Sequence, residues 1–438
     1  MKVKIKGLDL KKMYGFTFLN ERKKRKILIP KTLENEVVEI KLIRKGKKRI
    51  AKVLEFYETS KKRIKPKCKH FELCGGCALQ HLCYEEQFSL KQQVTNNIFG
   101  FEIPGIRANK IFGYRNRMDF IVKKENDKIA LGLREPLDYD SFVKISDCKL
   151  MNEESFKAFK AVNENLKNLD VSVYNQEKRE GCLRYVVVQG TNKTNLVSLL
   201  VNENCNEKEL EKLKQLSKDE RIKNLVINYT NSLSDISQDA RFEVVKGNHF
   251  LEQRFLDYIF KYPFNGFFQR NPEQFEVLVL KIKEMIKKHI PYHSERTLFD
   301  LFSGVGLFSI TLSDLFKEVK GYELSKEMVE LAKENALINK IDSKKASFNQ
   351  TDLYKTELEI MDKDVVIFDP PRAGLGKKMI KTILKNKPEY VIYVSCNPRS
   401  QMADFNIIKE NYDLKDAFWV DMFPQTAHME SVLILNRR

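Results

Sequence analysis

The segment with the clearest strand pattern is Val391-Ile392-Tyr393-Val394-Ser395-Cys396-Asn397-Pro398-Arg399. Its β-branched and aromatic residues lead without interruption to Ser395 and Cys396, and Asn397-Pro398 ends them. This pattern predicts a buried parallel strand that delivers a cysteine into a turn. Ligands of open α/β sheets bind at the carboxyl ends of the strands, so we expect chemistry at Cys396. The alternative is a small buried thiol of the core, which is the usual environment of a free cysteine.

Alternating strand and helix patterns surround this segment from Pro263 to the end of the chain. They predict strands at 297–302, 319–323 and 364–369 and helices at 307–315 and 326–339, the second helix being capped by Ser325. Such alternation is typical of a doubly wound parallel sheet with helices on both faces. The C-terminal part of the chain, 263–438, is therefore predicted to be an α/β domain.

Two glycines and two acidic residues follow the predicted strands. Gly304 and Gly306 come after the first strand, where a backbone without side chains approaches a ligand closely. Glu323 ends the second strand, where an acidic group binds ribose hydroxyls. A dinucleotide fingerprint would need a third glycine, so the pattern favours a nucleoside such as S-adenosylmethionine. Asp352 is either an acceptor for the adenine amino group or the N-cap of a helix.

Asp369-Pro370-Pro371-Arg372 is the most distinctive motif in this half of the chain. A carboxylate at the end of a strand, followed by two prolines that fix the backbone, forms a rigid polar wall beside a cofactor. Base-modifying methyltransferases often have Asp-Pro-Pro or Asn-Pro-Pro at this place, so the motif permits methylation of a nucleobase.

Positive charge is concentrated in the first 67 residues. They contain 23 Lys and Arg against 7 Asp and Glu, a net charge of +16, whereas the whole chain of 438 residues carries +18. A strongly basic segment on a near-neutral body favours nucleic acid as a partner, although a solvated lysine-rich face has the same composition. Strand patterns at 26–30, 36–43 and 50–56, with a turn at 45–47, predict a small β-rich unit over 1–66. This unit is either a barrel of the oligonucleotide-binding type or a plain meander.

Three of the eight cysteines, Cys68, Cys74 and Cys77, lie within ten residues of one another. The chain has no run of 18 apolar residues and no apolar signal-peptide core, so we expect a cytoplasmic protein with reduced cysteines and no membrane partner. We expect clustered thiols to be metal or redox ligands rather than disulfides, and a fourth ligand would come from Cys148 or Cys83. Four thiolates suit an iron–sulfur cluster or a zinc ion. The Cys-x5-Cys-x2-Cys spacing favours the cluster, because a zinc ribbon has two Cys-x2-Cys pairs.

Residues 67–262 combine this cysteine segment with mixed helix and strand patterns. A helix is predicted at 84–97, and alternating segments such as 117–123 and 183–189 predict an antiparallel sheet. The arginines of Gly113-Tyr114-Arg115-Asn116-Arg117 either contact phosphates or belong to a solvated loop.

Taken together, these motifs resemble the RNA 5-methyluridine (uracil-C5) methyltransferase family, and most of all its iron–sulfur-containing branch, which acts on 23S ribosomal RNA. The resemblance covers nearly the whole chain. It implies a C-terminal Rossmann-like S-adenosylmethionine-dependent methyltransferase domain (263–438), a basic N-terminal TRAM or OB-like β-barrel that binds RNA (1–66), and a central mixed α+β domain with a [4Fe-4S] cluster (67–262). The transfer-RNA branch generally lacks the cluster and the TRAM unit, so both features favour ribosomal RNA. No protein partner is implied.

The resemblance also assigns roles to residues. Cys396, in Ser-Cys-Asn-Pro, matches the nucleophile, and Glu430, at the end of the segment 422–430, matches the base. The positions that match cofactor contacts are Gln269, Phe302, Glu323, Asp352 and Asp369, and those that match the cluster ligands are Cys68, Cys74, Cys77 and Cys148. Leu307 stands where the cofactor motif often has asparagine, and the segment 400–404 lacks an arginine that is frequent there. Neither departure touches the nucleophile or the base.

Methylation at carbon 5 of uracil needs both groups. Carbon 5 attacks a methyl sulfonium only after a thiolate adds at carbon 6, and a base must then remove the carbon 5 proton so that the thiol is eliminated. We expect Arg372 or Arg399 to lower the pKa of the Cys396 thiol. The target base must also leave its stack. Three aromatic residues either cover its faces or pack in the core: Phe267, Phe268 and Phe423.

Other functions fit parts of the sequence. Methylation of an exocyclic amine needs no Cys396, and a cytosine enzyme usually has its cysteine after a proline, whereas here Pro398 follows it. A non-catalytic RNA-binding protein held together by zinc would also explain the basic segment and the cysteines. The function predicted from the sequence is methylation of carbon 5 of a uridine in RNA, with 23S rRNA favoured and tRNA as the alternative.

Overall fold

The computed structural model describes residues 1–19, 25–45, 48–232 and 241–438. Gly46 and Lys47 of the predicted turn at 45–47 lie outside these residues. No helix in the described ranges combines the length and the apolar composition needed to cross a bilayer.

The described residues of the N-terminal unit form six strands. They are β1 (Lys2–Lys4), β2 (Gly7–Asp9), β3 (Tyr14–Phe18), β4 (Lys26–Ile29), β5 (Val37–Lys45) and β6 (Lys48–Glu58). The strands pair in two antiparallel sheets, in the orders β1-β5-β6 and β2-β3-β4. Strand alternation sends Ile27, Ile29, Val38 and Ile40 into one buried cluster that both sheets share. The strands predicted at 26–30, 36–43 and 50–56 are confirmed as β4, β5 and β6, whereas the TRAM or OB-like assignment stays a prediction.

A seven-stranded sheet occupies the middle of the chain. The elements of this region are α1 (Tyr84–Phe99), β7 (Gly105–Ile106), β8 (Arg117–Glu125), β9 (Lys128–Glu135), β10 (Asp138–Lys144), α2 (Glu153–Leu166), β11 (Leu183–Gly190), β12 (Asn195–Asn202), α3 (Glu207–Lys214), β13 (Asn224–Thr230) and β14 (Phe242–Lys246). The sheet order is β10-β9-β8-β11-β12-β13-β14. Among the described strands of this sheet, only β12 and β13 pair in parallel, because α3 carries the chain back between them. The predicted helix at 84–97 and the antiparallel sheet are confirmed apart from this pair.

Cys182 and Cys205, which are 23 positions apart in the sequence, form a disulfide bond with Cα atoms 4.6 Å apart. Cys182 precedes β11 and Cys205 follows β12, and the antiparallel pairing of Leu183 with Val201 brings these two ends together. The expectation that all eight cysteines are reduced is therefore wrong for these two. The remaining six cysteines are free thiols.

The C-terminal half forms an eight-stranded sheet and a separate hairpin. Its elements are β15 (Phe250–Phe255), β16 (Tyr258–Pro263), α4 (Pro272–His289), β17 (Thr297–Leu301), α5 (Leu307–Thr311), β18 (Glu318–Glu323), α6 (Lys326–Ile338), β19 (Ala346–Gln350), β20 (Val365–Phe368), α7 (Gly376–Asn386), β21 (Tyr390–Ser395), α8 (Pro398–Ile408), β22 (Tyr412–Val420) and β23 (Glu430–Arg437). Strands β15 and β16 form the hairpin. The helix predicted at 307–315 ends earlier, at Thr311, where the Thr311 hydroxyl donates to a helix carbonyl one turn back.

The order of the large sheet, β19-β18-β17-β20-β21-β23-β22-β7, contains a reversal. The chain places β17, β18 and β19 on one side and then crosses to β20 and β21 on the other, and all these neighbours are parallel. Open α/β sheets bind ligands at such a reversal, outside the carboxyl ends of the strands. Here those ends lead into the Gly304 turn and into Asp369. The predicted doubly wound α/β sheet is confirmed.

Helix α1 and strand β7 join the large sheet although they precede the central sheet in the sequence. Strand β7 pairs with β22, and Phe88 of α1 stacks on Trp419 with ring centroids 4.8 Å apart. A Cβ on Gly105 would lie 2.5 Å from the Trp419 ring, so this close approach requires glycine. The domain boundaries at 66/67 and 262/263 stay predictions.

Candidate active site

One cavity of about 830 Å³ lies at the carboxyl ends of the parallel strands. It extends across the reversal of strand order, from the turn after β17 to the end of β21. The residues predicted to act as nucleophile and base or to contact the cofactor all line it: Gln269, Phe302, Glu323, Asp352, Asp369, Cys396 and Glu430. The fold therefore brings these distant parts of the sequence into one site, which we name the main cavity.

The turn after β17 is shaped by three residues with positive φ. Phe302 has a φ of +72°, Gly304 of +53° and Gly306 of +86°. Glycine adopts such angles without strain, whereas Phe302 is held there by the surrounding structure. The Glu323 carboxylate accepts hydrogen bonds from Gly304 N at 3.1 Å and from Ser325 N at 2.9 Å. These bonds fix the carboxylate at the cavity wall beside the glycine turn.

Asp300, the acidic residue of β17, supports this turn from below. Its Oδ2 atom accepts from Ser309 N at 2.9 Å and from Ser309 Oγ at 2.6 Å, whereas Oδ1 has no partner among the described residues. Burial raises the pKa of Asp300 to about 6. Asp300 therefore anchors α5, and Glu323 is the acidic group that lines the main cavity.

Asp352 lies in a turn after β19 and caps no described helix. Its Oδ1 atom accepts from Tyr354 N at 3.0 Å, and its Oδ2 atom pairs with Lys355 at 3.1 Å. The hydrogen bond from Lys355 lowers the pKa of Asp352, so the group is a carboxylate at neutral pH. The rings of Phe302 and Tyr354 lie on the same wall with centroids 6.0 Å apart. This wall offers a hydrogen-bond acceptor and two aromatic faces.

The segment Phe267-Phe268-Gln269 divides between the core and the main cavity. Phe268 is buried and stacks on Tyr262 with ring centroids 4.1 Å apart, so it belongs to the core. Phe267 is 61% exposed and lines the cavity with Gln269. Phe423 lines it as well. The prediction that Phe268 covers the target base is therefore wrong. Phe267 and Phe423 remain candidates for that role.

Cys396 and Glu430 occupy the facing ends of two neighbouring strands. Ser395 of β21 pairs with Ser431 of β23 in an antiparallel register. Cys396 is the next residue after Ser395, and Glu430 is the residue before Ser431. In an antiparallel pair these two residues therefore lie opposite each other on the neighbouring strands. Both side chains line the main cavity.

Two side chains of α8 fix these strand ends from below. Gln401 donates to the Tyr393 carbonyl at 2.7 Å and accepts from Ser431 Oγ at 2.6 Å. Asp404 accepts from Tyr393 Oη at 2.7 Å and from Leu375 N at 2.9 Å. Gln401 thus holds β21 to β23, and Asp404 holds β21 to the start of α7. Sequence analysis missed both residues; their position within the helix that follows the nucleophile was the available signal.

Burial raises the pKa of the Cys396 thiol to about 11, and the negative charges of Glu430 and Asp369 act in the same direction. Arg372 opposes this shift through its charge and a hydrogen bond. Arg372 thus lowers the pKa of Cys396 as expected, but burial outweighs it and the net pKa is raised. At neutral pH the thiol is protonated.

The two carboxyl groups near the thiol also have raised pKa values. Burial raises the pKa of Glu430 well above its ordinary value, Asp369 adds to the shift, and Arg372 opposes it. Burial, followed by the charge of Asp300, raises the pKa of Asp369 to about 7. A carboxyl group with a raised pKa accepts a proton only in its ionised form. This end of the cavity also favours a positively charged ligand, which would lower these pKa values again.

A second, smaller cavity lies between the cysteine segment and the central sheet. The predicted cluster ligands all line it: Cys68, Cys74, Cys77 and Cys148. Cys83, the other candidate for the fourth ligand, is not among the lining residues and precedes α1 instead. Two donors point to sulfur, since Gly76 N lies 3.4 Å from Cys74 Sγ and Gln80 Nε2 lies 3.1 Å from Cys77 Sγ. Such donors stabilise thiolate ligands of a metal group.

The distances between these sulfurs can be compared with those expected for the ligands of a single zinc ion. Thiolates on one zinc ion lie about 3.8 Å apart, because the Zn–S distance in the tetrahedron is about 2.3 Å. In the described ranges, the only three metal-binding side chains with ligand atoms within 4.8 Å of one another are Cys182, Cys205 and Glu209, two of which form the disulfide. No three thiols of the second cavity therefore lie within 4.8 Å of one another, so the sulfurs as placed do not form the tetrahedron of a single zinc ion.

Gly75, Gly76 and Arg115 connect the two cavities. All three line the main cavity, and Gly76 and Arg115 also line the cysteine cavity. Arg117 is buried and pairs with Asp119 at 3.0 Å, so it has a structural role. The solvated-loop interpretation is thus wrong for the buried Arg117, whereas Arg115 is half-buried at the two cavities. Local sequence carried no signal for the position of Arg115, which depends on contacts between distant segments.

Known proteins match this chain over nearly its whole length. The family described as tRNA (Uracil-5-)-methyltransferase matches residues 83–438. The tRNA (uracil(54)-C(5))-methyltransferase of Pyrococcus horikoshii is 35% identical over 411 residues, which cover 93% of this chain and 94% of that protein. An RNA methyltransferase of Nanoarchaeum equitans, described as uncharacterized, is 34% identical over 444 residues, which cover 100% of this chain and 93% of that protein.

A solved structure shows the same fold with a cofactor product. The crystal structure of Pyrococcus abyssi tRNA (uracil-54, C5)-methyltransferase in complex with S-adenosyl-L-homocysteine has a TM-score of 0.78 and 29% identity, covering 99% of this chain and 100% of that chain. The non-catalytic interpretation is therefore wrong, as are the amine and cytosine alternatives. The chain belongs to the tRNA (uracil-5-)-methyltransferase family and is an S-adenosylmethionine-dependent RNA uracil-C5 methyltransferase.

Proposed function

We propose that this enzyme methylates carbon 5 of uridine 54 in transfer RNA, with Cys396 as the nucleophile and Glu430 as the base. The observation that carries the proposal is the pairing of Ser395 with Ser431, which sets the two groups on facing strand ends in the main cavity. The relatives named for uracil 54 of transfer RNA match 93% and 99% of the chain.

In the proposed reaction, the Cys396 thiol gives up its proton to solvent, and the resulting thiolate forms a bond to carbon 6 of uracil. The electron pair of the C5=C6 bond moves toward the carbonyl at carbon 4, and carbon 5 then becomes the nucleophile that takes the methyl group. S-adenosylmethionine supplies the methyl group on a cationic sulfonium. Glu430 then takes the proton from carbon 5, and the electron pair left behind restores the C5=C6 bond and expels the thiolate. A cationic cofactor nearby would favour the ionised form of Glu430 that this step requires.

The cofactor is proposed to bind between the glycine turn and the Asp-Pro-Pro wall. Glu323 would accept hydrogen bonds from the ribose hydroxyls, as acidic residues at this strand end do. Asp352 would accept from the adenine amino group beside the ring of Phe302. Gln269 and Asp369 would contact the other end of the cofactor, nearer the thiol.

We also propose that four cysteines hold a [4Fe-4S] cluster: Cys68, Cys74, Cys77 and Cys148. Their position around one cavity and the two donors to sulfur support this assignment. A cluster there would fix the segment whose Gly75 and Gly76 form part of the main cavity wall. The proposed role of the cluster is therefore to maintain the shape of the main cavity.

A uridine of 23S ribosomal RNA is the second candidate substrate. Its support is the combination of a basic N-terminal unit with a cysteine segment. Both regions fall within the 99% of the chain that aligns with a transfer-RNA enzyme of Pyrococcus abyssi, so they do not favour ribosomal over transfer RNA. With either substrate, the N-terminal TRAM or OB-like unit is proposed to bind the RNA backbone, and the reaction is proposed to take place in the cytoplasm.

Mapping of 5-methyluridine in transfer and ribosomal RNA from cells that lack this gene tests the choice. We expect the modification to disappear from position 54 of transfer RNA and to return with the wild-type gene but not with Cys396→Ala. The purified enzyme should methylate a transfer RNA transcript with uridine at position 54 and should not methylate one with cytidine there. Loss of 5-methyluridine from 23S ribosomal RNA alone would establish the second candidate, and loss from neither RNA would contradict the proposal.

A further inference from the structure

A third cavity, of about 250 Å³, opens beside the nucleophile. Its basic lining residues are Lys11, Lys12, Arg372 and Arg399, and no Asp or Glu of the described ranges lines it. We name it the basic groove. Arg372, Cys396 and His428 line both the basic groove and the main cavity, so the groove begins at the reacting sulfur.

The charge of the basic groove differs from that of the main cavity. The main cavity is lined by three arginines and by four acidic side chains. The acidic side chains are Glu323, Asp352, Asp369 and Glu430. A cationic cofactor fits such a lining. A polyanion is attracted instead to the basic groove, where cations are unopposed by acidic lining residues.

The lysines of the groove sit on a turn that is fixed to the catalytic sheet. Asp9 accepts hydrogen bonds from Lys11 N at 3.1 Å and from Lys12 N at 2.9 Å, which shapes the turn between β2 and β3. Met13 and Tyr14, directly after it, are buried in a cluster that also contains residues of β21 and β23. The N-terminal unit therefore presents these lysines at a defined place beside the nucleophile.

Both lysine side chains are exposed and line the groove. Enclosure in the cavity and then the charge of Arg372 lower the pKa of His428 to about 4, and Lys12 contributes to this shift. The charge of Lys12 therefore acts on His428, which lies two positions before Glu430. Asp9, the nearest acidic group on the turn, pairs with Lys26 at 2.8 Å.

We propose that the basic groove binds the RNA backbone at the phosphates next to the target uridine, with Lys11, Lys12 and Arg399 as the phosphate-binding side chains. The proposal rests on the proposed function, because it assumes that the uridine bonded to Cys396 is part of an RNA strand. A nucleotide that leaves its stack carries its flanking phosphates with it, and the groove is continuous with the sulfur it must reach. The N-terminal unit then positions the target in addition to supplying general affinity.

A pair of matched variants tests this inference. Lys11→Gln/Lys12→Gln removes two charges from the groove, and Lys193→Gln/Lys208→Gln removes two from exposed lysines of the central region that line none of these three cavities. Binding of a labelled, unmodified transfer RNA transcript is measured by fluorescence anisotropy over a range of salt concentrations. Each lost phosphate contact lowers the slope of log Kd against log salt by about 0.7 to 0.9. We expect the groove variant to lose affinity about 10-fold or more and about 1.4 to 1.8 of this slope.

Neutral linkages in the RNA locate the contact. A methylphosphonate on either side of the target uridine should weaken binding by the wild-type enzyme, and the groove variant should show no further loss at the same linkages. Lys11→Arg/Lys12→Arg should restore the wild-type response, and S-adenosylmethionine affinity should stay unchanged in all variants. The inference is overturned if the groove and central variants bind the transcript alike, or if the groove variant remains as sensitive to the neutral linkages as the wild type. Methylation of the same transcript by the wild type is recorded separately, and its absence would contradict the proposed substrate while the binding data still decide the role of the groove.

Discussion

Asn397 donates its side-chain amide to the backbone carbonyl of Arg372 at 2.9 Å. Asn397 follows the nucleophile and Arg372 ends the Asp-Pro-Pro-Arg motif, so this bond joins the ends of β21 and β20. Ser400 Oγ donates to the same carbonyl at 3.2 Å. Arg372 is thereby held where its charge limits the rise in the pKa of Cys396. The position of the thiol and its ionisation are coupled through this contact.

Alkylation of Cys396 is expected to accelerate with pH well beyond the range of an ordinary thiol. The pKa of Cys396 is about 11 in the folded protein, whereas a free thiol ionises near about 8.5, so the thiolate fraction keeps rising through this interval. Glu430→Gln should speed alkylation at a given pH, because the carboxylate raises this pKa, and Arg372→Met should slow it. Mass spectrometry of the iodoacetamide-treated Cys396 peptide measures the rate, and a plateau near pH 8.5 in the wild type would contradict the shift.

The same shift predicts a dependence of stability on pH. A thiol with a raised folded pKa binds more protons in the folded than in the unfolded protein between about pH 8.5 and pH 11, so its contribution to stability is complete below this window and is lost across it. Cys396→Ala removes that contribution. We therefore expect the melting temperature of the wild type to fall more steeply than that of Cys396→Ala as pH rises through the window, and parallel curves would argue against the raised pKa.

Glu430→Gln is expected to accumulate a covalent RNA–protein adduct. Without a base, the proton stays on carbon 5 after methyl transfer, and the thiol cannot be eliminated. Denaturing electrophoresis with labelled RNA and S-adenosylmethionine detects the adduct. Cys396→Ala/Glu430→Gln should give no adduct, and Glu410→Gln, which alters an exposed carboxylate outside the site, should behave as the wild type. A Glu430→Gln enzyme that binds both ligands and forms no adduct would exclude Glu430 as the base.

Sequence patterns could predict the residues whose place follows from local structure. Cys396, Glu323 and Asp369 each stand at the end of an apolar strand, and parallel strands of one sheet present their carboxyl ends at one edge. Strand alternation and turn residues were therefore sufficient to group them. Glu430 stands before a terminal strand, and only the family resemblance distinguished it from a surface carboxylate.

The remaining features depend on contacts between distant segments. Arg115 lines two cavities because the central region packs against the catalytic sheet, and no local pattern encodes that contact. Cys182 and Cys205 meet because their strands pair in one particular register. The pKa of Cys396 depends on the depth of its burial, which a strand pattern does not give. The positive charge of Arg372 was visible in the sequence, but the larger effect of burial was not.

Cys148→Ser is expected to remove iron from the protein. Cys148 is the one proposed ligand outside the 68–77 segment, so a bound cluster would link this segment to the loop before α2. Methylation of RNA should fall strongly, because Gly75 and Gly76 form part of the main cavity wall. Iron and sulfide analysis and visible absorption of anaerobically purified protein measure the loss, with Cys83→Ser as the matched control that keeps its iron. Zinc without iron in the wild type would exclude the cluster.

Lys91→Met is expected to impair both stability and catalysis. The Lys91 ammonium is fully buried and pairs with Asp421 at 2.7 Å, and it also donates to the carbonyls of Phe423 at 3.1 Å and His428 at 3.0 Å. Loss of the lysine leaves Asp421 buried without its partner, which costs about 3–5 kcal/mol. It also releases the loop that leads to Glu430, so we expect kcat to fall about 100-fold. Urea unfolding and single-turnover methylation measure the two effects.

The double variant Lys91→Met/Asp421→Leu separates these effects. It removes the uncompensated buried charge, so its free energy of unfolding should recover most of what Lys91→Met loses. In this variant the carbonyls of Phe423 and His428 still lack the Lys91 donor, so the loop before Glu430 is still not held by these hydrogen bonds. We therefore expect kcat to remain low while stability returns. A parallel recovery of kcat would show that Lys91 acts on stability alone and does not position the catalytic loop.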